Sequence, residues 1–315
     1  MVEHPGEPSE WARSRAALAR LPPLFVWEGG ERLVRLGLQG AAAFAVVATA
    51  LIAFSLLFDA LSFFSHVSPF DFFFGTVWSP DIRGAYGVLP LIVGTLIIAG
   101  GACLIGVPLG LAAAIYLREY APPRVRTYVK PILEILAGIP TVVFGFFALL
   151  VVSPWLGSWF GADFFNGMNA IIVIGIMLVP IVSSMSEDAL AAVPRDLREG
   201  ALALGSTKLE MVGRVTFPAA LSGITASFLL AFSRAVGETM VVLIAAGITT
   251  NLSFDPLGQM TSLAGYIAKR ATGDLPVGSV LFESLFAVGI TLFLMTLALN
   301  LVSDRLRARF REVYD

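Results

Sequence analysis

Six stretches of this 315-residue chain approach or exceed the length and apolarity needed to cross a lipid bilayer, and no other feature narrows its possible folds as far. A spanning helix needs about 20 mostly apolar residues, because a backbone N–H or C=O left unpartnered in hydrocarbon costs several kcal/mol. The stretches fall at residues 36–58, 89–117, 132–152, 168–185, 217–248 and 280–302, the fourth being the shortest. The second and fifth exceed what a bilayer requires, so tilt or extension beyond it is expected. Composition agrees: 57% of residues are hydrophobic and 14% charged, against roughly 45–50% and 25% in soluble domains. Mean hydropathy is +0.83. These values exclude a soluble enzyme and a disordered chain, and a net charge of −2 offers no basic footprint for nucleic acid. Cys103, the one cysteine, has no partner for an internal disulfide. His4 and His66 lie too far apart in sequence to suggest a protein-built zinc site.

The expected fold class is all-α integral membrane with six transmembrane helices. Before the first span the five acids and five bases form no compact positive region, which argues against a signal peptide. Orientation follows from lysine and arginine. Five bases precede the first span, four (Arg118, Arg124, Arg126, Lys130) follow the second, and four (Arg195, Arg198, Lys208, Arg214) follow the fourth. Arg305, Arg307, Arg309 and Arg311 lie beyond the sixth. The other side holds Arg83, Lys269 and Arg270. Both termini are therefore expected in the cytoplasm. Residues 1–35 would form an N-terminal tail, 36–302 the membrane domain and 303–315 a C-terminal tail. Ser9 could cap a helix over residues 10–20 with Trp11 and Leu18 toward the bilayer surface; a loose tail is the alternative.

The second span carries Gly94, Gly100, Gly101, Gly106 and Gly110 with Pro108. Small residues let membrane helices approach closely, so this span is expected at the centre of the packing. Pro140, after Gly138-Ile139, breaks the third span, and Pro180 sits inside the fourth. No G-x-x-x-x-G-K-[ST] phosphate loop and no H-E-x-x-H occurs, and neither histidine has a hydrolase partner nearby. The chain reads as no enzyme, and any ATP hydrolysis belongs to another subunit.

The loop after the fourth span, 187–215, is the most informative stretch. Pro194 can begin one short helix, Gly205 ends it, and Ser206 would cap a second over residues 208–212. The result is a bent, partly apolar knob at the membrane surface, where small side chains at Gly200, Ala201 and Ala203 would admit another protein. Glu199-Gly200-Ala201, three residues, Gly205, nine residues, then Val215-Thr216-Phe217-Pro218 resembles the E-A-A–x3–G–x9–I-x-L-P loop of ABC importer permeases. Glycine for the first alanine, valine for isoleucine and phenylalanine for leucine are the departures. The resemblance implies a type I importer (MetI-like) permease fold in a bacterial inner membrane. It also implies that Glu199, Gly200, Ala201, Gly205, Val215 and Pro218 belong to a coupling element docked on a separate ATPase.

Further motifs narrow the family. Leu136-Ala137-Gly138-Ile139-Pro140-Thr141-Val142-Val143-Phe144-Gly145, Ser186-Glu187-Asp188-Ala189-Leu190 and Arg234-Ala235-Val236-Gly237-Glu238-Thr239-Met240 resemble PstC-type permeases of phosphate-specific ABC importers. Tyr86-Gly87 and Leu117-Arg118-Glu119-Tyr120-Ala121-Pro122 fit as well, so the likeness runs from about residue 86 to the C-terminus. It implies a second, PstA-type permease, two PstB-type ATPase subunits that use ATP and magnesium, and a periplasmic PstS-type phosphate-binding protein. This chain would bind no cofactor itself. A PstA-type permease, a permease for molybdate or sulfate, a secondary transporter and a membrane sensor are the competing readings.

Arg234 and Glu238 fall inside the fifth span, where a charge costs about 2.5–3.5 kcal/mol on insertion scales. Spacing of four would place them on one helix face within pairing distance. They could neutralise each other in the bundle, line the substrate pathway with Arg234 facing an oxyanion, or pair in only one transport state. Glu134 and Glu283 read as interface residues near span ends. Lys269 and Arg270 are either a docking pair for the binding protein or a solvated pair.

Overall fold

The computed structural model describes residues 28–273 and 275–309; the helix considered at residues 10–20 lies outside them. The chain divides into two compact units, Met1–Ser55 and Leu56–Asp315. The described part of the first belongs to helix α1 (Glu28–His66), whose apolar residues over 36–55 are nearly all exposed, as suits a helix solvated by lipid.

In the second unit, α2 (Pro69–Phe74) and α3 (Pro80–Arg83) flank a two-stranded antiparallel ribbon, β1 (Trp78–Ser79) with β2 (Ala85–Tyr86). Phe63, Phe72, Trp78, Tyr86 and Tyr266 meet edge to face around it. Then come α4 (Leu89–Ile115), which widens into a π-helical turn over Tyr116–Tyr120, and α5 (Pro123–Gly138). Past the break at Ile139–Pro140, α6 (Thr141–Phe147) and α7 (Ser153–Phe160) are joined through a π-helical turn, and α8 (Gly167–Ala192) follows. The knob contains α9 (Arg195–Ala203) and α10 (Lys208–Met211). After it come α11 (Phe217–Ala219), α12 (Leu221–Val236), α13 (Leu263–Ala271) and α14 (Val280–Arg309).

Five described helices are long and apolar enough to cross a bilayer: Glu31–His66, Leu89–Tyr120, Thr141–Phe160, Gly167–Ala192 and Val280–Ser303. A sixth arises if Lys208–Ala219 and Leu221–Val236, bent by 71°, count as one. Three expectations need correction. The third span is Thr141–Phe160 rather than 132–152, because residues 132–138 belong to α5, an amphipathic helix on the other side of the Pro140 break. The fourth is not the shortest, since α8 runs for 26 residues straight through Pro180. The fifth is not one rod over 217–248: it bends at Ala220 and loses its helix after Val236.

The centre is a seam between α4 and α8, as the glycines foretold. A Cβ on Gly106 would lie 2.5 Å from the Gly175 carbonyl oxygen, and one on Gly110 would lie 2.7 Å from Val182 Cβ. Only glycine lets the two backbones approach this closely, and Ile98, Ala102, Ile174, Leu178 and Val182 close the core around them. Ser186 and Ser227 hydroxyls, 2.9 Å apart, tie α8 to α12, and the Leu263 N–H donates to Thr95 Oγ1 at 2.9 Å to seat α13 on α4.

Candidate functional site

The knob is built by local backbone chemistry. Pro194 precedes the first residue of α9. Gly205, at φ +87°, ends it: its N–H donates to the Leu202 carbonyl at 3.0 Å and that of Ser206 to Ala201 at 3.2 Å. This left-handed glycine stop satisfies carbonyls that a helix end leaves free. The second helix is capped by Thr207, not Ser206. Thr207 Oγ1 accepts from the Glu210 N–H while Glu210 accepts from the Thr207 N–H at 2.9 Å, a reciprocal capping box.

The matched residues divide by exposure. Glu199, Gly200, Gly205 and Pro218 are exposed, and Glu199 makes no ion pair among the described residues. Ala201 instead packs inward on Met211 and Val212, with Val215 beside them, so its small side chain closes the knob's own core rather than a partner's. Leu197, Leu202 and Leu204 face outward, Leu204 at 89% exposure.

Buried charge joins the knob to the bundle, which the sequence reading missed. Arg198, 14% exposed, places Nη1 3.0 Å from Oε1 of Glu119, itself 5% exposed, and donates through Nη2 to the Leu190 carbonyl. Lys208 Nζ lies 5.0 Å from the Tyr120 ring centroid. Close by, Glu187 is held by Arg126 and by Lys130 at 3.4 Å, with 2% of its side chain exposed. The one available signal was an acid ending an apolar span beside loops crowded with arginine.

In the fifth span the pairing of Arg234 with Glu238 that a spacing of four allowed is not formed in this structure: the described residues contain no ion pair between them, and the helix that would align them stops at Val236. Arg234 lies in the last turn of α12, where a cation suits the negative end of the helix. Glu238, 7% exposed, precedes a new helical turn over residues 240–246, and its Oε1 accepts from the Val241 N–H at 3.3 Å. Each charge is thus stabilised by a helix end, the arrangement of discontinuous helices in transport proteins. The exposed Arg234 lines a cavity of about 240 Å³ with Leu136, Ile139, Phe144, Met177 and Ile181.

The remaining charges are also placed. Glu134 is exposed on α5 and lines a cavity of about 330 Å³ against α8. Glu283 opens α14, accepting from Ser62 Oγ at 2.7 Å with His66 Nδ1 at 3.5 Å. Arg270 is no solvated twin of Lys269: it pairs with Asp81 and covers the Tyr266 ring, while Lys269 stays exposed. Partial burial, then the neighbouring Arg270, lowers the Lys269 pKa, and Asp81 offsets part of that.

A glycine-seamed membrane bundle with a bent knob after its fourth span and charges at a broken fifth is an architecture suited to a membrane permease. Residues 106–312 match the family model of the binding-protein-dependent transport system inner membrane component, and the chain belongs to that family. It is 34% identical over 294 residues to the phosphate transport system permease protein PstC of Xylella fastidiosa (strain Temecula1), covering 84% of this chain and 90% of that protein. It is 35% identical over 248 residues to the probable ABC transporter permease protein YqgH of Bacillus subtilis (strain 168), covering 77% and 79%. Its fold resembles a chain in the crystal structure of a bacterial alginate ABC transporter in complex with alginate pentasaccharide-bound periplasmic protein. There the TM-score is 0.63 at 17% identity, over 92% of this chain and 99% of that one. The chain is accordingly a multi-pass inner-membrane subunit of ABC-transporter type and not an enzyme.

Proposed function

We propose that this chain is one permease half of an ATP-driven importer of inorganic phosphate, paired with a homologous PstA-type permease. In this reading both termini face the cytoplasm, the transporter carries two PstB-type ATPases, and one of them grips this chain's knob through Glu199, Gly200, Gly205 and the exposed leucines, with Ala201, Val215 and Pro218 shaping it. The ATPases supply ATP and magnesium chemistry, and a PstS-type binding protein delivers phosphate from outside.

The observation that carries the substrate reading is Arg234. Arg234 lines a cavity and makes no ion pair among the described residues, which leaves its donors available to a tetrahedral oxyanion. A single cation suits a pathway, which must bind weakly enough to release. Glu238, engaged by a backbone N–H, tempers the local charge without occupying Arg234.

The test is uptake of labelled phosphate by the assembled complex in vesicles, competed by molybdate and sulfate. Arg234→Gln, which removes a charged hydrogen bond of about 1.5–3 kcal/mol, is expected to lower uptake roughly ten- to a hundredfold with the complex still assembled. Wild-type uptake in that variant would refute a substrate contact, and uptake competed better by molybdate or sulfate than by phosphate would refute the substrate. Loss of the assembled complex would make Arg234 a structural residue.

A further inference from the structure

Four elements meet where the knob joins the bundle: the π-helical turn ending α4, the last turns of α8, the start of α5, and α9. Two of the knob's cations reach the same π turn, Arg198 onto Glu119 and Lys208 over Tyr120. Arg198 alone reaches two spans, because its second Nη nitrogen holds the Leu190 carbonyl of α8. A guanidinium is a rigid planar fork whose ends can hold different partners, which a lysine ammonium at the tip of a flexible chain does not reproduce. Glu119 and Leu190 are both buried, so the grip sits in a medium where water does not dissolve it. The two spans it holds are already locked side by side by the Gly106–Gly175 seam.

We infer that Arg198 is a positioning residue for energy coupling: it clamps α9 to the inner ends of α4 and α8, so that these two spans follow any displacement of the knob as one body. The inference rests on the ATPase-docked reading above and goes beyond it, because it assigns transmission to a residue that faces the bundle rather than the partner. The outward leucines and Glu199 would receive the push. Arg198 would pass it on.

The test uses the complete transporter in vesicles, with ATP hydrolysis and phosphate import measured on the same sample. Two variants are compared: Arg198→Lys, which keeps the charge but not the fork, and the double variant Arg198→Met with Glu119→Met. The double variant removes both charges together, so that no lone buried ion endangers folding. In both, hydrolysis and ATPase association are expected to persist while phosphate imported per ATP falls about tenfold, the size of a typical coupling between sites. An unchanged ratio of import to hydrolysis in either variant would overturn the inference. So would a proportional loss of both, which would mean that Arg198 serves docking or folding. If the wild-type complex neither retains an ATPase nor imports phosphate, the functional reading itself has failed, a result readily told apart from the others.

Discussion

Arg234 and Glu238 stand four positions apart, yet each draws its stabilisation from a helix end and not from the other. Replacing Glu238 with alanine strips the Val241 N–H of its acceptor. Thermal unfolding of the purified permease in detergent should then register a loss of about 1 kcal/mol, with Glu238→Gln losing less because an oxygen remains. The knob offers a pair of opposite sign. Gly205→Ala forces a side chain into the left-handed region at a cost of about 1–2 kcal/mol. Gly200→Ala, helical and with open space around its new methyl, should stabilise by up to about 1 kcal/mol in the same measurement. The Gly205 stop was legible in the sequence, since helix-ending glycines carry a backbone signature. The grip of Arg198 on Glu119 was not, because ion pairs between distant loops leave no periodic trace.

Among the elements, the α4–α8 seam was foreshadowed by glycine spacing in one partner, and Gly175 in the other completed it. A methyl at position 106 has backbone, not a pliable side chain, in its way. Gly106→Ala should therefore destabilise the extracted protein by about 1–3 kcal/mol, whereas the same change at Gly100, with nothing near its Cβ, should have little effect. Two span boundaries were misread for one reason. Apolarity reports which residues avoid water and is silent on where the backbone stops being helical. Ile132, Leu133, Ile135 and Leu136 of amphipathic α5 run on toward the true span beyond Pro140, and Val241, Leu243 and Ile244 extend the apolar run past the helix end at Val236. The glycine and proline at 138 and 140 marked the first break. Gly237 was a fainter sign of the second.

For the whole molecule, the asymmetry of basic residues predicts a topology independent of any partner. A fluorescent protein fused after Asp315 should glow in intact cells and an alkaline phosphatase fused there should stay inactive; the reverse pattern would invert the membrane orientation. The exposed apolar surfaces of α1 and α14 fit a body solvated by lipid. One consequence remains in the two interruptions of regular helix, Ile139–Pro140 and the stretch after Val236, since the same cavity is bordered by Ile139 on one wall and by Arg234, two residues before Val236, on another. At both, backbone hydrogen bonds stay local, from the Ile139 N–H to Leu136 at 3.4 Å and from the Glu238 N–H to Ala235 at 3.2 Å. The chamber holding Arg234 thus has an interrupted helix behind two of its walls, while Met177 and Ile181 of α8, the helix locked to α4 by glycine, supply another.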